Sequence, residues 1–145
     1  MGSLILNNYK DETVRHWWLY AIALEQGKYY VGITSRKDPR DRLRQHGGAY
    51  GASWTKKYKP LKPIQPLALK DLGRITQTAA EQQEQDLFEE YAKVHGLRNV
   101  RGGRVTWTRG VFKVGKFYFP QEVLEGGYVI CVLLMLMAYV VFVKK

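Results

Sequence analysis

A single cysteine, Cys131, is all that the 145 residues contain. That excludes an intrachain disulfide framework and a cysteine-based zinc site, and the chain therefore needs no oxidising compartment. Acidic residues are also scarce: 13 Asp and Glu stand against 23 Lys and Arg, a formal net charge of +10. Such an excess points to a polyanionic partner, either nucleic acid or an acidic membrane surface. No internal repeat or low-complexity tract is present. Residues 1–13 hold only the brief apolar patch Leu4-Ile5-Leu6 and no basic leader, so no signal peptide is expected. Leu6 stands where a myristoylation motif starting at Gly2 requires Ser or Thr. An intracellular protein is the resulting expectation. The length suits one domain with a real core better than two.

What the chain does have is concentrated first in residues 17–34, two aromatic-rich apolar runs around Glu25-Gln26-Gly27. This pattern predicts a β-hairpin. Loop length decides which side chains meet. A two-residue loop, Gln26-Gly27, puts Tyr20 and Tyr30 on opposite faces, because side chains alternate with a period of two. A three-residue loop sets Leu24 opposite Lys28 and Ile22 opposite Tyr30, with Gly27 at the left-handed position that such loops require. In that register Tyr20 and Tyr30 are diagonal neighbours on one face, roughly 7–8 Å apart. We expect the three-residue loop.

Asp38 as N-cap, Pro39 at the first helical position and Gly47-Gly48 as a stop predict a short helix on which Arg42 and His46 share a face. Residues 47–63 read as loop; its basic residues, interleaved with Trp54 and Tyr58, suit phosphate contact and base stacking, while a tryptophan anchoring the loop to the core fits equally well. A third strand is predicted over 67–72, beginning at Pro66 or just after. Residues 78–95 predict a long helix with a capping box from Thr78 to Glu81, an apolar stripe of Ala80, Leu87, Tyr91 and Val94, and Gly96 as its end. Glu84 falls on that stripe between Ala80, Leu87 and Phe88, where a carboxylate is costly unless paired or metal-bound. The region of Trp107 and Phe117-Tyr118-Phe119 fits either a last strand pair or a loose loop. Residues 128–143 carry no charge and end at Lys144-Lys145; with Gly126-Gly127 they reach the lower edge of the about 17–25 residues a membrane span needs. Residues 126–145 are read as an apolar helix that spans a membrane, with a buried terminal helix or a tail outside the working domain as the alternatives.

Taken together, these residues resemble the GIY-YIG nuclease superfamily. Trp18-Leu19-Tyr20 is similar to its first signature, with Trp18 where glycine is usual, and Tyr30-Val31-Gly32 is similar to the second. Thr34 stands where many members have a basic residue, with Arg36 and Lys37 close by. Arg42 and His46 match the family's arginine and following histidine, Ala80 and Glu84 its helix with a single glutamate, and Asn99 the asparagine that often follows. Ser53-Trp54-Thr55 and the stretch from Asn99 to Gly103 are similar to those of small stand-alone members. The likeness covers residues 17–103 and leaves the C-terminal third unexplained.

The resemblance implies an α+β fold with a small three-stranded antiparallel sheet flanked by helices, to which the apolar C-terminal helix is added. The expected organisation is an N-terminal extension at 1–14, the nuclease-like domain at 15–103, an unassigned region at 104–125 and the apolar tail at 126–145. The implied activity is metal-dependent hydrolysis of DNA phosphodiesters. Glu84 would be the lone protein ligand of Mg²⁺ or Mn²⁺, since hard cations prefer carboxylate oxygen and commonly keep several waters. Arg42 would hold the scissile phosphate bidentately. Tyr20 or Tyr30 would orient or deprotonate the water, and His46 would share the proton transfer or bind phosphate. Arg36, Lys37, Trp54, Lys56, Lys57, Asn99 and Arg101 are the candidate DNA contacts, and no small-molecule cofactor is expected. The rival readings are an inactive nucleic-acid-binding domain and a membrane-tethered interaction module on the same fold.

Overall fold

The computed structural model describes residues 13–106, 111–115 and 117–120. The apolar segment at 126–145 lies outside the described residues, as does most of the N-terminal extension. Among the described residues no helix is long and apolar enough to cross a membrane.

Strands β1 (Arg15–Leu24) and β2 (Lys28–Thr34) form the expected hairpin around a 3-10 turn at Glu25–Gly27. Its register pairs Leu24 with Lys28, Ile22 with Tyr30 and Tyr20 with Gly32. Gly27 has φ +65°, as the three-residue loop requires, and Gln26 at φ +60° shares the left-handed region. Both faces of the hairpin are covered. Tyr20, Ile22 and Leu24 pack with Leu43 and Trp54 on one side. Leu19, Ala21 and Val31 pack with Phe88 and Val100 on the other. Burial on both faces explains why the sequence here is continuously apolar instead of alternating with polar residues.

Helix α1 (Pro39–His46) begins as expected, with the Asp38 carboxylate accepting from the Arg40 amide at 2.9 Å. The predicted loop at 47–63 contains a short helix, α2 (Ser53–Lys57), which turns Trp54 and Thr55 into the core. Strand β3 (Pro66–Ile75) starts at the proline and runs antiparallel to β1. It lies at the sheet edge, where the missing proline amide costs no ladder bond.

Helix α3 (Gln77–His95) starts earlier than its sequence suggests. Its N-cap is Thr76, whose hydroxyl accepts from the Ala79 amide at 3.2 Å. Glu81 accepts from the Gln77 side-chain amide at 2.8 Å. Two threonines two residues apart fit the same cap, and the strand leading out at Ile75 selects the first. The apolar stripe also ends early. Val94 is 72% exposed, and it is His95 that closes the last turn by stacking on Tyr29 at 3.9 Å.

The sheet has four strands, not three, in the order β3-β1-β2-β4, and β4 (Val100–Arg101) is parallel to β2. Gly102 at φ +138° makes that approach possible: a Cβ there would lie 2.2 Å from the Val31 carbonyl oxygen. Strands β5 (Val111–Val114) and β6 (Phe117–Pro120) form a separate hairpin, the first of the two alternatives for this region. Tyr118 secures it to α3: its hydroxyl donates to Glu89 at 3.1 Å and its ring meets Phe88 edge-on. The fold is a mixed α+β domain with a four-stranded sheet flanked by helices.

Candidate active site

The odd-length hairpin loop determines where the two phenols go. Tyr20 and Tyr30 lie on one face with ring centroids 6.5 Å apart. Gly32, directly opposite Tyr20, leaves them room. A Cβ at Gly32 would stand 2.6 Å from the Tyr20 hydroxyl and 2.9 Å from the Tyr30 ring, so the Tyr20 ring lies across the backbone of β2. A glycine is therefore needed there for close approach, not for a turn.

Helix α1 brings His46 into the same pocket. Its ring is 5.7 Å from Tyr20 and 4.8 Å from Tyr30, and its Nε2 is 2.7 Å from the Tyr20 oxygen. The opposite nitrogen, Nδ1, is 3.2 Å from the Thr55 hydroxyl. Tyr20, His46 and Thr55 are all at most 1% exposed. Burial, and secondarily the nearby Arg42 cation, lower the His46 pKa to about 4, so the imidazole is neutral. Burial also raises Tyr30 to about 12, with Glu84 adding to the rise and Arg42 opposing it. Tyr20 is raised well above the ordinary phenol range, again chiefly by burial. Arg42, half-buried on the same helix face as His46, donates to Gln45 at 3.1 Å.

Glu84 arrives from a different helix. It projects from α3, which covers the face opposite the tyrosines, yet its charge raises both phenols. Glu84 belongs to a groove lined by Thr76, Thr78, Glu81, Gln82, Gly103 and Arg104. Burial pushes its pKa up to about 7; a hydrogen bond from the Gly103 amide pulls the other way, and Glu81 adds to the rise. The Thr78 hydroxyl in this groove is buried and has no hydrogen-bond partner. A desolvated carboxylate facing this groove is a donor that fits one hard divalent cation, which commonly keeps several waters. Among the described residues no group of three or more His, Cys, Asp or Glu forms a closed metal cage.

The candidate DNA contacts divide by burial. Arg36, Lys37, Lys56 and Lys57 are exposed. Trp54 is 3% exposed: its indole donates to the Tyr29 carbonyl at 3.1 Å and its ring lies under the Arg101 guanidinium at 4.2 Å. It anchors α2 to the sheet and offers no face to a base. Arg101 is 1% exposed and donates to the Leu97 and Val100 carbonyls at 2.9 and 2.6 Å. Asn99 donates to the His95 carbonyl at 2.8 Å and accepts from Lys28 at 2.6 Å, closing the end of α3. Each of these three has partners within the fold. Thr55 joins the site as a residue that only its place in Ser53-Trp54-Thr55 signals in the sequence.

A small mixed sheet carrying a buried phenol–imidazole pair, an adjacent arginine and an isolated carboxylate on a neighbouring helix defines a nuclease-type domain. The model of the GIY-YIG catalytic domain matches residues 16–98, and the chain belongs to that family. A UPF0213 protein of Cupriavidus pinatubonensis is 37% identical over 54 residues, which make up 37% of this chain and 58% of that protein. The match thus spans less than two thirds of that relative's length. No solved structure matches significantly.

Proposed function

We propose that this protein is an endonuclease that hydrolyses DNA phosphodiester bonds with Mg²⁺ or Mn²⁺ held at Glu84. The observation that carries the reading is the 2.7 Å contact between Tyr20 and His46 beside Arg42, with the Glu84 charge felt at both phenols. A binding domain needs none of these groups buried together. A bound divalent cation would supply Lewis-acid stabilisation of the phosphate's growing charge.

The chain's own residues divide the remaining work. Arg42 is suited to hold two phosphate oxygens in its planar fork. Tyr20 serves as the general base, because it alone of the two phenols has an imidazole nitrogen within hydrogen-bond distance. With Nε2 bare, His46 accepts the Tyr20 proton as Tyr20 takes one from the attacking water. The negative phosphate beside Arg42 offsets the penalty that this cation places on His46 protonation. Tyr30, the more exposed phenol, orients the water.

Plasmid nicking by the full chain with Mg²⁺ or Mn²⁺ tests the reading. Glu84→Ala and Arg42→Ala are each expected to reduce nicking by at least about 100-fold, the scale for losing transition-state charge stabilisation. Nicking that survives Glu84→Ala would sink the metal assignment. A folded wild-type protein that binds DNA and cuts no form of it leaves a binding domain instead.

A further inference from the structure

We infer that Thr55 is the positioning residue that fixes the tautomer of His46, keeping the proton on Nδ1 and leaving Nε2 bare toward Tyr20. The inference deepens the nuclease reading and rests on it for its consequence, but not for its geometry. A neutral imidazole has one N–H and one bare nitrogen, and the hydrogen bond made by the far nitrogen decides which is which. Here the far partner is the Thr55 hydroxyl, which has a single proton to give. That proton is already committed: the Thr55 oxygen lies 2.9 Å from the Ala52 carbonyl oxygen, which can only accept. The hydroxyl oxygen must therefore accept from His46 at the 3.2 Å contact, so Nδ1 carries the hydrogen. Nε2 is then the acceptor in the 2.7 Å contact, and the Tyr20 hydroxyl donates to it. Neither His46 nor Thr55 is exposed, so no solvent is at hand to supply the opposite arrangement.

The local chain is built around this direction. Ala52 is the N-cap of α2, and its carbonyl accepts both from the Lys56 amide, at 2.9 Å, and from Thr55. Gly51 clears the space: a Cβ there would fall 2.6 Å from the Thr55 hydroxyl oxygen and 3.0 Å from the His46 carbonyl oxygen. The helix that sequence patterning reads as loop thus sets a proton-transfer direction in α1.

The test is the long-range ¹H–¹⁵N spectrum of His46 in the isotopically labelled full chain, without DNA, beside plasmid nicking with Mg²⁺. Wild type is expected to show a neutral ring protonated at Nδ1. In Thr55→Val, which keeps the shape and loses the acceptor, the ring is expected to shift toward the Nε2–H form. Nicking should then fall about 100-fold with DNA affinity unchanged, the scale of one lost proton-transfer partner. Thr55→Ser restores the hydroxyl and is expected to restore both readouts. Should Thr55→Val fail to fold, Thr55→Cys, a weaker acceptor of similar size, is expected to populate both tautomers. A wild-type ring protonated at Nε2, or a Thr55→Cys ring still wholly in the Nδ1–H form, overturns the assignment. A tautomer that shifts as stated in a protein that cuts nothing supports the assignment and removes the nuclease reading.

Discussion

His46 is held neutral in a site where its charged form is disfavoured, and this has a consequence for stability. Its folded pKa of about 4 lies below the ordinary 6.5, through burial first and the Arg42 cation second. As pH falls, the unfolded chain takes up this proton before the folded one does. The contribution is therefore fully present above about pH 6.5 and is lost progressively as pH falls through about 4. At pH 5 the loss attributable to this ring should be about 2 kcal/mol. Urea unfolding at pH 7 and pH 5, in wild type and in His46→Gln, isolates it from the carboxylates common to both. The expected result is a smaller drop between the two pH values in the variant. Equal drops would mean that His46 titrates alike in the folded and unfolded states.

At the scale of the elements, α3 offers a choice that the sequence leaves open and the fold makes. Thr76 caps the helix, and the Thr78 hydroxyl, inside the first turn, has no partner. Thr76→Ala is expected to cost about 1 kcal/mol, the usual value for a lost N-cap. Thr78→Val should be neutral or slightly stabilising in metal-free buffer, because it removes a buried unsatisfied oxygen. Thermal unfolding of the two variants measures both, and the reverse order would restore the Thr78–Glu81 box. What was legible in the sequence follows the same logic. The hairpin register was readable because the loop composition and the period of two constrain each other. The ends of α1 and the start of β3 were readable from Asp38, Pro39 and Pro66, whose backbone chemistry is local. Strand β4 has only two residues and α2 five, too few for any period to show. Arg101 looks like a surface cation from its basic, glycine-containing surroundings, and Trp54 fits a stacking ring or a core anchor equally. Only tertiary contact reveals that they bury each other. The grouping of Tyr20, Tyr30 and His46 could be expected from strand parity and helix spacing. That Glu84, on the separate helix α3, is felt at both phenols, and the place of Thr55, depend on how the layers dock.

Across the whole molecule, the net charge of +10 acts through the cations that are exposed, not through those that are folded into the core. Arg36, Lys37, Lys56 and Lys57 stand on the surface, whereas Arg101 is enclosed by carbonyls and the Trp54 ring, with its pKa lowered to about 10 by burial and still charged at neutral pH. Phosphate contacts release counterions, so the affinity for DNA should fall steeply with salt, each contact adding about 0.9 to the slope of log K against log salt. Removing one contacting surface cation, as in Lys37→Ala or Lys56→Ala, is expected to reduce that slope by about this amount and leave stability within about 0.5 kcal/mol of wild type. Arg101→Leu should behave in the opposite way. It discards the stacking on Trp54 and two hydrogen bonds to carbonyls, so stability should fall by about 2–5 kcal/mol while the slope stays unchanged in whatever fraction remains folded. Fluorescence anisotropy titrations of a labelled duplex at several salt concentrations, paired with urea unfolding, separate the two behaviours. A slope that drops with Arg101→Leu would mean that this buried arginine reaches phosphate after all. A wild-type affinity indifferent to salt would mean that the basic surface does not bind the DNA backbone.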